Sequence, residues 1–190
     1  MKHTLKEGEI NGKKYSFYPY DSEYPSLFKK QRKILMSILG KNSKIEHVGS
    51  TSVPRLGGKG IIDIAIKTPR NKLNQFTSKL ERLGYEHNSE HPANDKRIFL
   101  QKRIIYKKKE RRIHIHLVPD NDFWDSFIVV RDYLRNHDTE RDKYAKIKKE
   151  AVKHAEGKGK KYREYKDKFL EELTKKALKR RLNINKIKEH

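Results

Sequence analysis

The sequence predicts an α+β fold for this chain of 190 residues, and three observations predict it. The apolar run Ile61-Ile62-Asp63-Ile64-Ala65-Ile66 has the length and β-branched content of a buried strand. Segments 97–106 and 112–118 read as two strands joined by the basic turn Lys107-Lys108-Lys109-Glu110-Arg111, which is a hairpin pattern. Stretches of helical periodicity stand before, between and after these strands.

The elements follow in order. Residues 14–18 read as a short edge strand. Ser22 is placed to cap a helix from about Glu23 to Leu39, with Gly40 as its stop. Lys44 to Val48 is a short strand, and Ile61 to Ile66 is the buried one. Arg70 to Leu83 is amphipathic and ends at Gly84. Polar residues 88–95 form a loop ahead of the hairpin. Pro119-Asp120-Asn121-Asp122 closes the second hairpin strand and starts a helix, with Phe123 and Trp124 anchoring its start in the core. The chain is then helical to about Leu182, with breaks expected at 136–139 and 156–158. There is no internal repeat. A single domain over 1–175 is expected, helical from about 122, followed by a basic tail at 176–190 that frays.

Composition narrows the function. Lys and Arg number 47 against 25 Asp and Glu, a net charge of +22, so the partners are expected among polyanions: nucleotides, RNA, DNA or an anionic membrane, among which charge alone does not choose. With no cysteine, thiolate chemistry and cysteine-ligated zinc are excluded. The N-terminus lacks the apolar core of a signal peptide and no apolar run is long enough to span a membrane, so a cytoplasmic protein is expected.

One carboxylate stands out. An aspartate in a buried strand is costly unless its charge is compensated by a metal or by hydrogen bonds. Ahead of Asp63 runs Gly49-Ser50-Thr51-Ser52, small residues whose backbone and hydroxyls can approach a phosphate closely, and Lys59 adds a cation. A phosphate cradle followed by a metal-binding carboxylate suits phosphoryl-transfer chemistry. A structural turn plus a salt-bridged aspartate explains the same residues less specifically.

"HVGSTSVPRLGGKGIIDI" resembles the signature of the GrpB family of the nucleotidyltransferase superfamily. "YDSEYPSLFKKQRKIL", "RIHIHLVP", "VVRDYLRNHDTERDKYAKIKKE" and "KYREYKDKFLEEL" resemble further family segments, so the likeness covers roughly 18–175. The resemblance implies a small mixed β-sheet with helices packed on one side, followed by C-terminal helices. It implies a nucleoside triphosphate held at the Gly49-Ser50-Thr51 turn and Mg²⁺ or Mn²⁺ held by acids on the next strand. It also implies transfer of a nucleoside monophosphate to an unknown acceptor.

The superfamily pattern has two acids spaced by one, and here the second position is Ala65. The GrpB family often lacks an acid there. The place of a third carboxylate is taken by His114 and His116, which share one strand face. Two readings stay open: Asp63, His114 and His116 hold one metal, with Asp63 and His116 in catalysis, or the histidines bind phosphate or backbone. Glu110 or Asp122 would supply a missing acid. His47 is a packed, hydrogen-bonded histidine or a further ligand. Arg131 and Arg135, one helical turn apart, either clamp phosphates or pair with Asp132. Tyr144, Lys148, Tyr162 and Lys166 form either a stacking and phosphate-binding wall or ordinary packing. The alternative to an enzyme is a binding module impaired in catalysis by Ala65, holding RNA on the hairpin turn and the C-terminal lysines.

Overall fold

In the computed structural model, which describes residues 16–87, 96–119 and 121–188, five strands form one mixed sheet in the order β1-β2-β5-β4-β3. The strands are β1 Lys44–Val48, β2 Ile62–Lys67, β3 Glu86–His87, β4 Ile98–Tyr106 and β5 Lys109–Val118. Only the β2–β5 pair is parallel among the described strands; β1–β2, β4–β5 and β3–β4 run antiparallel. Two helices, α1 (Tyr24–Leu39) and α2 (Leu73–Arg82), cover one face. Three more follow the sheet: α3 (Asn121–Asn136), α4 (Asp138–Ala155) and α5 (Gly159–Lys188).

The period of two along each strand decides which side chains meet which helices. Ile62, Ile64 and Ile66 point with Ile113, Ile115 and Leu117 toward Leu27, Leu35, Phe76 and Leu80 of α1 and α2, forming the main core. The alternate residues, Asp63, Ala65, His114, His116 and Val118, point to the opposite face. There Val48, Ala65 and Val118 pack under Trp124, so the expected anchoring of α3 by Trp124 is what the structure has. Phe123 is half-buried beside it.

Several local expectations change. Ser22 does not cap α1. The cap position is Glu23, whose N–H is accepted by Asp21 Oδ1 at 2.9 Å, and Pro25 sits in the first turn, where a missing N–H costs nothing. Of the expected first edge strand, residues 14 and 15 lie outside the described residues, and Tyr18 makes an isolated bridge to Gly58. The loop at 88–95 also lies outside them. β5 begins at Lys109, because the hairpin turns on two residues, Lys107 and Lys108, both at positive φ (48° and 62°). That backbone matches the twist of the strands and ordinarily selects Asn-Gly. The break between α3 and α4 is His137 alone, stacked on Tyr133 at 3.8 Å. At the second break Glu156 and Gly157 both adopt positive φ. α5 continues to Lys188, beyond the expected start of a fraying tail, and Ala177 is buried against the helical core.

Candidate functional site

The parallel register sets Asp63 opposite His114 and Ala65 opposite His116. His114 Nδ1 lies 3.2 Å and His116 Nε2 3.5 Å from Asp63 Oδ1. The structure therefore brings the carboxylate and both imidazoles together. The other ring nitrogens decide what the group is. Arg97 Nη1 lies 3.0 Å from His116 Nδ1. A guanidinium only donates, so Nδ1 accepts and the proton of a neutral His116 sits on Nε2, facing Asp63. His114 Nε2 is buried with no hydrogen-bond partner. Burial lowers the His114 pKa to about 4 against the pull of Asp63, so the ring is neutral and donates through Nδ1. Burial alone would raise the Asp63 carboxyl; the hydrogen bonds from His114 and His116 outweigh it and hold the group well below the usual carboxylate range.

These bonds do not suit a metal trio. A ligating histidine donates its far N–H to an acceptor. Here one far nitrogen meets a guanidinium and the other has no hydrogen-bond partner. Among the described residues, no group of three or more His, Asp or Glu has the arrangement of a metal site. The expected set of Asp63, His114 and His116 does come together, and in this arrangement the histidines are donors to the carboxylate. Both ring nitrogens of His116 are engaged, one with Arg97 and one with Asp63. Asp63 retains 24% side-chain exposure, and a Cβ on Gly49 would run into its Oδ2. Gly49, at φ 67° and ψ −171°, occupies backbone space that is essentially glycine's alone.

Above the carboxylate lies a cavity of about 260 Å³, lined by Gly49, Ser50, Lys59, Tyr144, Lys148, Tyr162 and Lys166 among others. Ser50 opens a single helical turn, Ser50–Ser52, which Ser52 closes by donating its hydroxyl to Gly49 O at 2.6 Å. Lys59 Nζ stands 4.7 Å from the Tyr162 ring centroid. Lys148 Nζ donates to Gly57 O at 2.9 Å, and Gly58 leaves room for it beside Ser50 Oγ. Lys148 is 4% exposed, and burial, with Lys166 adding to it, lowers its pKa to about 7. Lys166 pairs with Asp167 at 2.8 Å. The tyrosine-lysine wall of α4 and α5 is thus both packed and turned into the cavity.

Thr51, Arg131 and Arg135 are expected phosphate ligands that the structure commits elsewhere. Thr51 Oγ1 donates to Ile61 O at 2.9 Å and bonds His47 Nε2 at 3.0 Å, buried away from the cavity. His47 stacks on Phe28 on the α1 face, with burial lowering its pKa to about 4, so it is the packed histidine. Arg131 bonds Glu46, His47 O and Asp132. Arg135 gives two N–H groups to Ser52 O, at 3.0 and 2.7 Å, and lines a separate groove with Tyr20 and Arg141. Arg135 braces the turn from the side of that groove, while Arg131 also lines a larger cavity beside Gly49 and Ser50. Glu110 pairs with Arg103 and is not among the residues lining the Asp63 cavity, and neither is Asp122. The hairpin cations offered to RNA are also engaged: Arg111 and Lys109 with Asp21, Lys107 with Glu23, while Arg112 is buried.

Sequence reasoning missed Arg97, which orients His116, and Glu46, which holds Arg131. It placed Lys148 in the wall without a role of its own. No local signal marks Arg97 or Glu46, because their partners lie on distant strands and helices.

A family model described as GrpB protein matches residues 15–176. The UPF0157 protein BH1888 of Halalkalibacterium halodurans is 29% identical, over 92% of this chain and 88% of its own. The crystal structure of the conserved protein GrpB from Enterococcus faecalis is similar at 30% identity and a TM-score of 0.72, covering 88% of this chain and 99% of that one. A mutant of the Cid1 poly(U) polymerase bound to MgATP shows a distant likeness, with a TM-score of 0.49 and 12% identity over 73% of this chain.

Proposed function

Because the chain belongs to the GrpB family, we propose that it is a nucleotidyltransferase, moving a nucleoside monophosphate from a nucleoside triphosphate to an acceptor. The observation that carries this reading is one ionised carboxylate, Asp63, at a cavity walled by Lys59, Lys148 and Lys166. The lysines match the negative charge of a triphosphate, and Ser50 with the N–H groups of its turn adds donors for phosphate oxygens.

In the transfer, an acceptor oxygen or nitrogen bonds to the α-phosphorus. The bond to the pyrophosphate oxygen breaks, and the acceptor's proton passes to water. Cations fixed in place stabilise the charge that builds on the leaving pyrophosphate.

Mg²⁺ or Mn²⁺ fits this site through Asp63 alone. Oδ1 accepts from the two imidazoles, and the side chain, 24% exposed, lines the cavity. Mg²⁺ is commonly held by one or two carboxylates together with substrate phosphates, so a cation that enters with the triphosphate is matched by a single acid. When bound it neutralises phosphate charge. His114 and His116 line the same cavity and fix the direction of the carboxylate by donating to its Oδ1.

Ala65 favours a second reading, a nucleotide- or RNA-binding module without catalysis. One experiment separates the two. Thermal stability is measured with ATP, GTP, CTP and UTP, with and without Mn²⁺, in the wild type and in Asp63→Ala. The transferase predicts a Mn²⁺-dependent rise with at least one triphosphate, lost in the variant. The absence of any triphosphate response, with salt-sensitive stabilisation by RNA, overturns it.

A further inference from the structure

We infer that a second, larger cavity adjoining the Asp63 pocket is the acceptor site, and that it takes a small organic anion with an aromatic or branched apolar body. The word acceptor rests on the transferase reading; the ligand chemistry stands on the cavity itself.

The cavity has a volume of about 730 Å³, within the range of small-molecule sites. Its floor is apolar: Phe123, Phe127, Val130 and Leu134 of α3 face Leu170 of α5. Phosphate chains offer nothing to such a floor, whereas an apolar body gains by leaving water there. The rim is cationic, with Lys96, Arg163 and Lys175 against the carboxylates Asp167 and Glu171. An occupant with one anionic group is complementary to floor and rim together.

Its position ties it to the chemistry. Ser50 and Phe127 line both cavities. The Phe127 ring lies 5.0 Å from the His116 ring, and His116 Nε2 reaches Asp63 Oδ1 at 3.5 Å. An apolar body resting on Phe127 therefore presents its polar end at the mouth of the Asp63 pocket. A polymer acceptor would cross that mouth and leave the apolar floor unfilled.

The test uses 1-anilinonaphthalene-8-sulfonate, an aromatic monoanion, on the full chain under conditions where near-ultraviolet circular dichroism shows native packing. Saturable binding of one equivalent is expected, and it persists with saturating triphosphate and Mn²⁺. Val130→Trp, which fills the cavity, should weaken binding about tenfold or more. The double variant Lys96→Glu/Lys175→Glu alters exposed side chains and tests the rim if Val130→Trp does not fold; a severalfold loss is expected. Binding that neither variant alters overturns the inference. So does displacement by triphosphate, which makes the cavity the nucleoside's, or displacement by RNA, which makes it part of a polymer track. If no triphosphate binds at all but the probe still responds to both variants, the transferase reading falls and the ligand class of the cavity stands.

Discussion

Asp63 and His114 stand directly opposite each other on neighbouring parallel strands, and His114 Nδ1 donates to Asp63 Oδ1 over 3.2 Å. The imidazole is held neutral by burial, so this is a carboxylate with a neutral donor and not an ion pair. The carboxylate thereby stays ionised beneath a cavity lined with lysines.

Acid should destabilise the protein through its buried histidines. His114 and His47 both titrate at about 4 when folded, against an ordinary value of 6.5. Between those values the unfolded chain binds more protons, so stability falls as pH drops from about 6.5 to about 4, by ~1.4 kcal/mol per pH unit for each histidine. Denaturant unfolding across that window should show the decline. In His47→Gln it should be shallower by about one proton.

Triphosphate affinity should weaken as pH rises. Lys148 titrates at about 7 in the free protein, and a bound triphosphate favours its charged form and raises that value. Above pH 7, binding must then recharge the lysine, and the dissociation constant rises by up to about tenfold per pH unit until the bound value is passed. Lys148→Met should weaken binding and remove this dependence. An affinity independent of pH in the wild type between 7 and 9 would exclude Lys148 from the phosphate site.

Gly49→Ala should cost more than Gly40→Ala, although both positions have positive φ. A Cβ at Gly40 meets nothing within 4 Å, while one at Gly49 meets the Asp63 carboxylate. Each substitution carries a backbone penalty of about 1–2 kcal/mol. Only Gly49→Ala should also abolish stabilisation by triphosphate, which a thermal-shift comparison of the two variants reads directly.

Restoring the second acid of the superfamily pattern should fail. Ala65 is fully buried among Val48, Val118 and Trp124. Ala65→Asp places an unpaired carboxylate in that cluster and should destabilise by about 3 kcal/mol or more. A lower Tm without tighter Mn²⁺ binding is the expected result; tighter Mn²⁺ binding at unchanged Tm would show that the cluster is open to solvent.

Much of the fold was legible because its signals are local. The alternation that sends Ile62, Ile64 and Ile66 to one face sends Asp63 to the other, and the same holds for His114 and His116 around Ile115. The spacing of Tyr144 and Lys148, and of Tyr162 and Lys166, likewise placed each pair on one helical face. The second hairpin strand begins three residues before the expected Arg112, because Lys107 and Lys108 adopt a backbone that their side chains do not announce. Ser22 was misread as a cap because a polar residue before a helix looks the same whether or not its oxygen reaches the first turn.

The sequence by itself determined the α+β class, the strand that carries Asp63, and the pairing of two histidines on a single face, all of which follow from periodicities within a few residues. Only the tertiary structure decided what those residues are to one another. The β2–β5 register made the histidines donors to Asp63, Arg97 settled which nitrogen of His116 carries the proton, and Glu46 and Ser52 O became the partners of Arg131 and Arg135. Hydrogen bonding is short-ranged and directional, so its outcome depends on angstrom-scale placement of groups far apart along the chain, which residue spacing does not encode.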